Sequence, residues 1–435
     1  MKYNYLKRKV IVAVAVIAVA GFTFTGCKTD SSDTQTTQTE SQTDTEDTTT
    51  ESEDSSEMFS DRDLEQEADL TDAQYITVSD GEDITLSEEG VYVLSGTATD
   101  VTVYVENEEA KIQIVLDGVS ITNSDSPAIY VKAADKVFIT TTEGSENTLE
   151  VTGEYTADGD TNLDAVIFSK DDITLNGLGT LTLITSQGNG ISGKDDVVIT
   201  GGTYVIEAGK HGIEAKDLVA INDGTFTITS TKDGIQANND EDDTVGAIYI
   251  AGGDYTINAG DDGIRATTTL TIDGGTFDIS AVEGLEATNI TINDGTIDIY
   301  ATDDGINTTS KSTAYDVVTT INGGDINIEM GQGDTDAIDS NGDIYINGGN
   351  INITANSPFD YDGQGELNGG TLTVNGQQTT ELQNQMMGGA MGNMAPGQMG
   401  DQSTTGTQSQ MSGQGMMSGQ APSGGQGPMG GQGPF

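Results

Sequence analysis

Short stretches in which apolar and polar residues alternate recur through the middle of the chain. Tyr204 and Ile206 occupy every second position of "TYVIEA", as Phe226 and Ile228 do in "TFTITS". Every second side chain of a strand points to the same face of its sheet. The Thr, Ile and Val that fill these stretches also favour strands. Each stretch therefore predicts a β-strand with one buried face, and no amphipathic helix pattern follows the N-terminus.

The alternating stretches belong to a repeating unit, which consists of a strand, a corner and another strand. A blade of a β-propeller needs about 40 residues or more, which is too long for this unit. One coil cannot bury its apolar row alone, but coils stacked in register can. The pattern therefore predicts an all-β fold, a parallel β-helix. The units close on glycines 20 to 29 residues apart: Gly202, Gly224, Gly253, Gly275, Gly295, Gly324, Gly349 and Gly370.

One corner of the unit carries an acid, a glycine and an aliphatic residue, as in Asp262-Gly263-Ile264. Stacking in register turns these corners into columns. The first column holds Asn189, His211, Asp233, Asp262, Glu283, Asp304 and Asp336. The second, which we expect in the core, holds Ile191, Ile213, Ile235, Ile264, Leu285, Ile306 and Ile338. The glycines between them predict a bend with positive φ or a close backbone approach.

A column of acids has an electrostatic cost. Two carboxylates about 4.8 Å apart repel by roughly 3 to 4 kcal/mol at an effective dielectric constant of 20. A hard cation with oxygen ligands would remove that repulsion, whereas zinc lacks its usual ligands because the chain has one histidine and one cysteine. Hydrated or partly protonated acids, or Asp acting as a turn residue at single corners, are the alternatives. We predict calcium ligands at Asp233, Asp261, Asp262, Glu283, Asp303, Asp304 and Asp336.

The N-terminus has the layout of an export signal. A basic start precedes an apolar run from Val10 to Phe24 and the tetrapeptide "FTGC", which contains the only cysteine, Cys27. The run is short for a bilayer span, and "FTGC" resembles the lipobox of bacterial lipoprotein signals. We predict a signal peptide over residues 1–26, lipidation of Cys27, and an anchored protein on the extracellular face of the cell envelope. An uncleaved membrane anchor is the alternative.

The sequence divides the remainder into three parts. Residues 27–72 are an acidic Ser/Thr-rich run that predicts a disordered tether, residues 73–376 form the repetitive body, and residues 377–435 are a Gly/Met/Gln-rich run that predicts a disordered tail. The formal net charge of −55 argues against nucleic acid as a partner, since such a field repels phosphate. An anionic ligand would need a metal between itself and the protein.

Several segments resemble one protein family. "GVYVLSGTATDVTVYV", "IQIVLDGVSITNSDSPAIYVKAADKVFITTTEGSENTL", "AVIFSKDDITLNGLGTLTL" and the "DGI" corners are similar to the cellulose- and pectin-binding β-helix family of carbohydrate-binding domain-containing proteins, over roughly residues 76–374. The resemblance implies a right-handed, pectate-lyase-like β-helix that holds calcium in acidic corners, with Asp233, Asp262 and Asp304 among the ligands. The "DGI" pattern, and the support for a metal site, are lost at Asn189, His211, Glu283 and Asp336.

Two functional classes fit this pattern: a non-catalytic polysaccharide-binding protein, which we favour, and a calcium-dependent pectate-type lyase. A lyase needs a Lys or Arg as base beside the calcium, and Arg265 is the candidate. The other residues of its column are polar and suited to sugar hydroxyls, and the resemblance implies cellulose or an acidic plant-type glycan as the ligand. A surface adhesin or spacer is a third possibility. The predicted ligand-binding residues are Glu214, Gln236, Arg265, Glu286, Asn307 and Asp339.

Overall fold

Stacked parallel strands form nearly all of the computed structural model, which describes residues 58–332 and 335–384. These residues contain 34 strands and no helix, and therefore no helix that could cross a membrane. The predicted signal peptide, Cys27, most of the predicted tether, and the tail from residue 385 lie outside the described residues. The all-β, parallel β-helix prediction is confirmed.

The strands, in chain order, are β1 Gln74–Thr77, β2 Ile84–Leu86, β3 Gly90–Thr99, β4 Val103–Asn123, β5 Ile129–Thr141, β6 Glu146–Val151, β7 Ala165–Ser169, β8 Ile173–Gly177, β9 Thr180–Thr185, β10 Asn189–Gly193, β11 Val197–Ile199, β12 Thr203–Ala208, β13 Ile213–Ala215, β14 Leu218–Ile221, β15 Thr225–Ser230, β16 Ile235–Ala237, β17 Ala247–Ile250, β18 Asp254–Ala259, β19 Asp262–Ala266, β20 Thr269–Ile272, β21 Thr276–Ala281, β22 Glu283–Ala287, β23 Asn289–Ile292, β24 Thr296–Ala301, β25 Asp304–Thr308, β26 Val318–Ile321, β27 Asp325–Met330, β28 Asp336–Ser340, β29 Asp343–Ile346, β30 Asn350–Thr354, β31 Ser357–Tyr361, β32 Gly365–Leu367, β33 Thr371–Val374 and β34 Gln377–Thr379.

Three ladders of parallel strands run the length of the body. Ladder A contains β6, β9, β12, β15, β18, β21, β24, β27, β30 and β33. Ladder B contains β7, β10, β13, β16, β19, β22, β25, β28 and β31. Ladder C contains β8, β11, β14, β17, β20, β23, β26, β29 and β32. The long strands β4 and β5 bend through the corners and start more than one ladder.

The core follows from the alternation in the sequence. The predicted aliphatic column is in register along ladder B and fully buried. In ladder A, Tyr204, Phe226, Tyr255 and Phe277 stack face to face, with ring centroids 5.1, 4.8 and 4.5 Å apart. Such stacks add to the burial of apolar surface because like residues meet at the strand spacing.

The folded body begins before the predicted boundary at residue 72. Phe59 is 7% exposed and packs against Val198, Ala220 and Tyr249 on the outer side of ladder C. Asp63 is also buried, and its Oδ1 lies 2.6 Å from the Nζ of Lys136. The prediction that the tether extends to residue 72 was wrong, because a short aromatic and acidic motif inside a polar run binds the strand surface.

The body also extends past the predicted boundary at residue 376. Strand β34 pairs antiparallel with β33 and ends ladder A. Beyond it, Leu382 is buried and its carbonyl accepts a hydrogen bond of 3.3 Å from the hydroxyl of Tyr361. The tail prediction was therefore wrong for residues 377–384, which cover the last coil.

Two sets of glycines serve different needs. The closing glycines have positive φ, for example 107° at Gly253, as tight corners require. The glycines of the acid–glycine–aliphatic corner do not. They are required by close approach, because a Cβ on Gly263 would lie 2.5 Å from Ile279 Cγ2 and 2.6 Å from the carbonyl oxygen of Gly284. This contact brings the acid of the corner close to the next coil.

We expect the substitution Gly263→Ala to lower the free energy of unfolding by about 1–3 kcal/mol, since the new methyl group overpacks the corner. Gly90→Ala is the control, because its Cβ would meet nothing closer than 3.7 Å. Thermal melting of both variants checks the prediction. Equal melting temperatures for the two would contradict it.

Candidate functional site

Two columns of polar side chains run from coil to coil along ladder B. One lies at the corner where its strands begin, and the other lies three residues later in the chain. The acid column contains Asp233, Asp262, Glu283, Asp304 and Asp336; strand pairing places Asp262 opposite Glu283, and Asp304 opposite Asp336. The polar column contains Glu214, Gln236, Arg265, Glu286, Asn307 and Asp339, in register from coil to coil and continued by Asp360. The sequence-predicted site residues thus lie on neighbouring coils.

The first stretch of the site, from Asp233 to Glu286, contains two acidic clusters, and Arg265 lies beside both. Carboxylate oxygens of Asp233, Asp261 and Asp262 lie within 4.8 Å of one another, as do those of Asp262, Glu283 and Glu286. Arg265 Nε lies 2.8 Å from Glu286 Oε2 and 3.5 Å from Asp262 Oδ2, and Arg265 Nη1 lies 3.9 Å from Asp233 Oδ2. The guanidinium group therefore compensates charge in both clusters.

A second cation reaches this stretch from an inserted loop. Lys311 Nζ lies 2.6 Å from Glu286 Oε1, on the opposite side of that carboxylate from Arg265. The main-chain N–H of Lys311 donates to Thr288 Oγ1 at 3.1 Å. Glu286 is 6% exposed, and two cations beside a buried carboxylate offset part of the cost of its burial. Sequence reasoning missed Lys311, although its loop is visible as an insertion.

The loop that carries Lys311 is held by a second inserted loop, three coils away. Asp243 Oδ2 accepts hydrogen bonds from the N–H and hydroxyl of Thr313, at 3.0 and 2.8 Å, and the Asp243 carbonyl accepts one from Ser312 Oγ. These bonds lower the pKa of Asp243. The two inserted loops thus contact each other beside the polar column through Asp243, Ser312 and Thr313.

The second stretch of the site, one to three coils further on, differs in its charge balance. Among residues 58–332 and 335–384, no Lys, Arg or His lies within ion-pair distance of Asp304, Asp339 or Asp360. Asn307 is 8% exposed; its Nδ2 donates to Glu283 Oε2 at 3.0 Å, but its Oδ1 has no hydrogen-bond partner among the described residues. Within the same ranges, the buried Oδ1 of Asp360 also has no partner. The described part of this stretch thus offers oxygen ligands without a cation of the protein.

The pKa values reflect this crowding. Burial, then the charges of Asp339 and Glu283, raise the pKa of Asp304 to about 8. Burial and the neighbouring Glu286 raise the pKa of Glu283 to about 7, and burial with Asp360 and Asp336 raises that of Asp339 to about 6. Burial and Asp233 also raise the pKa of Asp262 well above its usual range. At pH 7 Asp304 and Asp262 therefore favour a proton unless a cation lies close, whereas Asp339 is mostly ionised.

The polar column does not present the open surface expected for sugar contacts. Gln236, Glu286 and Asn307 are each less than 9% exposed. Glu214 accepts hydrogen bonds of 2.8 Å from both Asn189 and Ser192. The burial of these three side chains does not support sugar binding by the column, which stays a prediction for the half-buried Glu214, Arg265 and Asp339.

The contacts of Arg265 bear on its role as the candidate base of the lyase alternative. Burial alone would lower the pKa of Arg265, but the carboxylates of Glu286, Asp233 and Asp262 outweigh burial and raise it. A guanidinium held by three carboxylates keeps its proton. Of the other predicted ligands, Asp261 lies 3.9 Å from Lys232 and Asp303 is exposed to solvent.

A further acidic cluster lies at the corner between ladders B and C. Asp172, Asp195 and Asp196 have carboxylate oxygens within 4.8 Å of one another. Burial, then Asp172, raises the pKa of Asp196 to about 7. Sequence reasoning did not propose this cluster, although the repeated "KDD" of "SKDD" and "GKDD" signals it.

Comparison with known proteins gives the family. A family model described as carbohydrate-binding domain-containing protein matches residues 80–337, more than half of the chain. The chain belongs to this family. A relative of the same description from Acetivibrio thermocellus is 38% identical over 136 residues, which cover 31% of this chain and 47% of the relative. The matched part thus spans about half the length of that relative.

A solved structure is also similar. It is the gadolinium derivative of a polysaccharide lyase-like protein from C. thermocellum, with 25% identity, a TM-score of 0.40, and coverage of 69% of this chain and 96% of that one. The family match over residues 80–337 covers the acid column and most of the three ladders.

The raised pKa values predict how the stability of this carbohydrate-binding domain depends on pH in the presence of a chelator. The folded state holds protons on Asp339, Glu283 and Asp304 at pH values where the unfolded chain has lost them. Stability is thus greatest near pH 4 and falls as the pH rises through about 6, 7 and 8. Melting temperatures measured from pH 5 to 9 should fall steadily. A rise over this range would contradict the assignment.

Proposed function

We propose that this protein is a non-catalytic, cell-surface polysaccharide-binding protein whose acid column holds calcium. Membership of the carbohydrate-binding family supports the polysaccharide. The proposal of calcium rests on the second stretch of the site. Among the described residues, Asp304 and Asp339 have no cationic neighbour there and Asn307 Oδ1 has no hydrogen-bond partner. Calcium prefers such carboxylate and amide oxygens.

The donor set fits calcium better in the second stretch than in the first. In the first stretch Arg265 and Lys311 already lie beside Glu286, and Arg265 Nε lies 3.5 Å from Asp262 Oδ2. We therefore place the ion between Asp304 and Asn307 of β25 and Asp336 and Asp339 of β28, which pair in register on adjacent coils. Compared with the ligands predicted from sequence, the proposal moves the preferred site toward the C-terminal end.

The ion would supply positive charge to a surface that otherwise repels anions. Bound calcium is often the largest local charge in a site and reverses its preference for charged ligands. A polysaccharide with uronate groups, such as polygalacturonate, could then share the ion with the protein carboxylates. This bridge is the proposed means of binding acidic glycans.

A lyase would need a base that can lose its proton beside the ion. Arg265 is the candidate that the sequence offers, and its three carboxylate contacts oppose that role. We therefore propose binding without catalysis. Lipidation of Cys27, with residues 28–57 as a tether, remains our proposal for attachment to the extracellular face of the envelope.

The test is retention of the purified protein on calcium-treated polygalacturonate, with and without a chelator. We expect chelator to abolish retention. The double variant Asp304→Asn/Asp339→Asn should weaken it about tenfold or more, because it removes two charged ligands. The control is Asp254→Asn, which removes an exposed acid of ladder A.

Retention that is the same with chelator would contradict the calcium bridge. Absence of retention on any polysaccharide would favour a spacer or adhesin. Release of unsaturated uronates, detected by absorbance, would favour a lyase.

A further inference from the structure

The outer face of ladder A is an open polar surface. Along the strands from Thr225–Ser230 to Asp325–Met330, the outward side chains at alternate positions are exposed or half-buried, and the inward ones are buried. These outward side chains are mainly threonine, asparagine and aspartate. The face is therefore a regular polar surface with rows at the strand spacing of about 4.8 Å.

One large aromatic side chain interrupts this polar face. Tyr300 is 45% exposed, and strand pairing places the small Ser280 on one side of it and Glu329 on the other. Its ring borders an open depression of about 270 Å³, which Asp278, Asp298, Asn327 and Asn352 also line. An exposed tyrosine offers an apolar ring face and a hydroxyl together, which suits a sugar ring that is itself apolar on its faces and polar at its edge.

The polar groups of the depression are already oriented. Asn327 Nδ2 donates to Asp298 Oδ1 at 2.7 Å, and Asn352 Nδ2 donates to Asn327 Oδ1 at 3.0 Å. Hydrogen bonds of this kind fix the side-chain rotamers before a ligand arrives, so less conformational entropy is lost on binding. The row ends at Asp278, which faces Asp298 in register.

The charge of the depression selects the ligand. Its charged lining residues are Asp278, Asp298 and Glu329, and none of its lining residues is basic. Carboxylates accept hydrogen bonds from hydroxyl groups strongly but repel uronates. The surface therefore complements an uncharged, hydroxyl-rich chain.

We propose that the outer face of ladder A, centred on Tyr300, is the docking surface for a neutral polysaccharide. It lies on a different ladder from the acid column, and its outward side chains are exposed or half-buried, whereas Gln236, Glu286 and Asn307 of the polar column are buried. The inference rests on the proposed polysaccharide-binding function but assigns neutral chains a surface of their own. Binding there does not require calcium.

The experiment measures how the purified protein and its variants bind to microcrystalline cellulose in the presence of a chelator. Tyr300→Ala should weaken binding about three- to tenfold, because the stacking platform is lost. Tyr300→Phe should keep most of the affinity. Tyr75→Ala is the matched control, since Tyr75 is 71% exposed but lies in β1, at the start of the body.

A second arm separates this inference from the proposed function. Retention of Tyr300→Ala on calcium-treated polygalacturonate should equal that of the wild type, and its melting temperature should not change. Wild-type cellulose binding that Tyr300→Ala leaves intact would overturn the inference. So would a wild type that binds polygalacturonate but not cellulose, or an equal loss by Tyr300→Ala on both glycans.

Discussion

The spacing of about 4.8 Å between parallel strands is the constraint on which the rest of the structure depends. A β-helix repeats its coils in register, so each side chain meets its counterpart on the next coil. For Ile264 and Leu285 this is favourable, because it continues the core. For Asp262 and Glu283 the same register brings together two acids, at a cost that the fold must offset.

The protein offsets this cost in two ways along one column. In the first stretch, Arg265 and Lys311 lie among the carboxylates, and Lys311 depends on an inserted loop that Asp243 fastens through Thr313. In the second stretch the described residues supply no such cation to Asp304 and Asp339, and their pKa values rise to about 8 and about 6. We infer that an ion from solution completes the second stretch, as side chains complete the first.

The sequence predicted the register because the fold repeats a short motif. The spacing of "DGI" corners is enough to place Ile235 opposite Ile264 and Arg265 opposite Glu286. It could not predict contacts that depend on loops of unequal length, such as Lys311 with Glu286. It also could not show that Asn307 is buried, or that Phe59 binds ladder C, because packing from another part of the chain decides both.

Equilibrium dialysis of the purified protein at pH 7.5 and at pH 5, which counts the calcium ions bound per chain, tests whether an ion completes the second stretch. We expect at least one ion per chain at pH 7.5 and much weaker binding at pH 5, where protons replace the ion on Asp304 and Asp339. No bound calcium at millimolar concentration and pH 7.5 would contradict it.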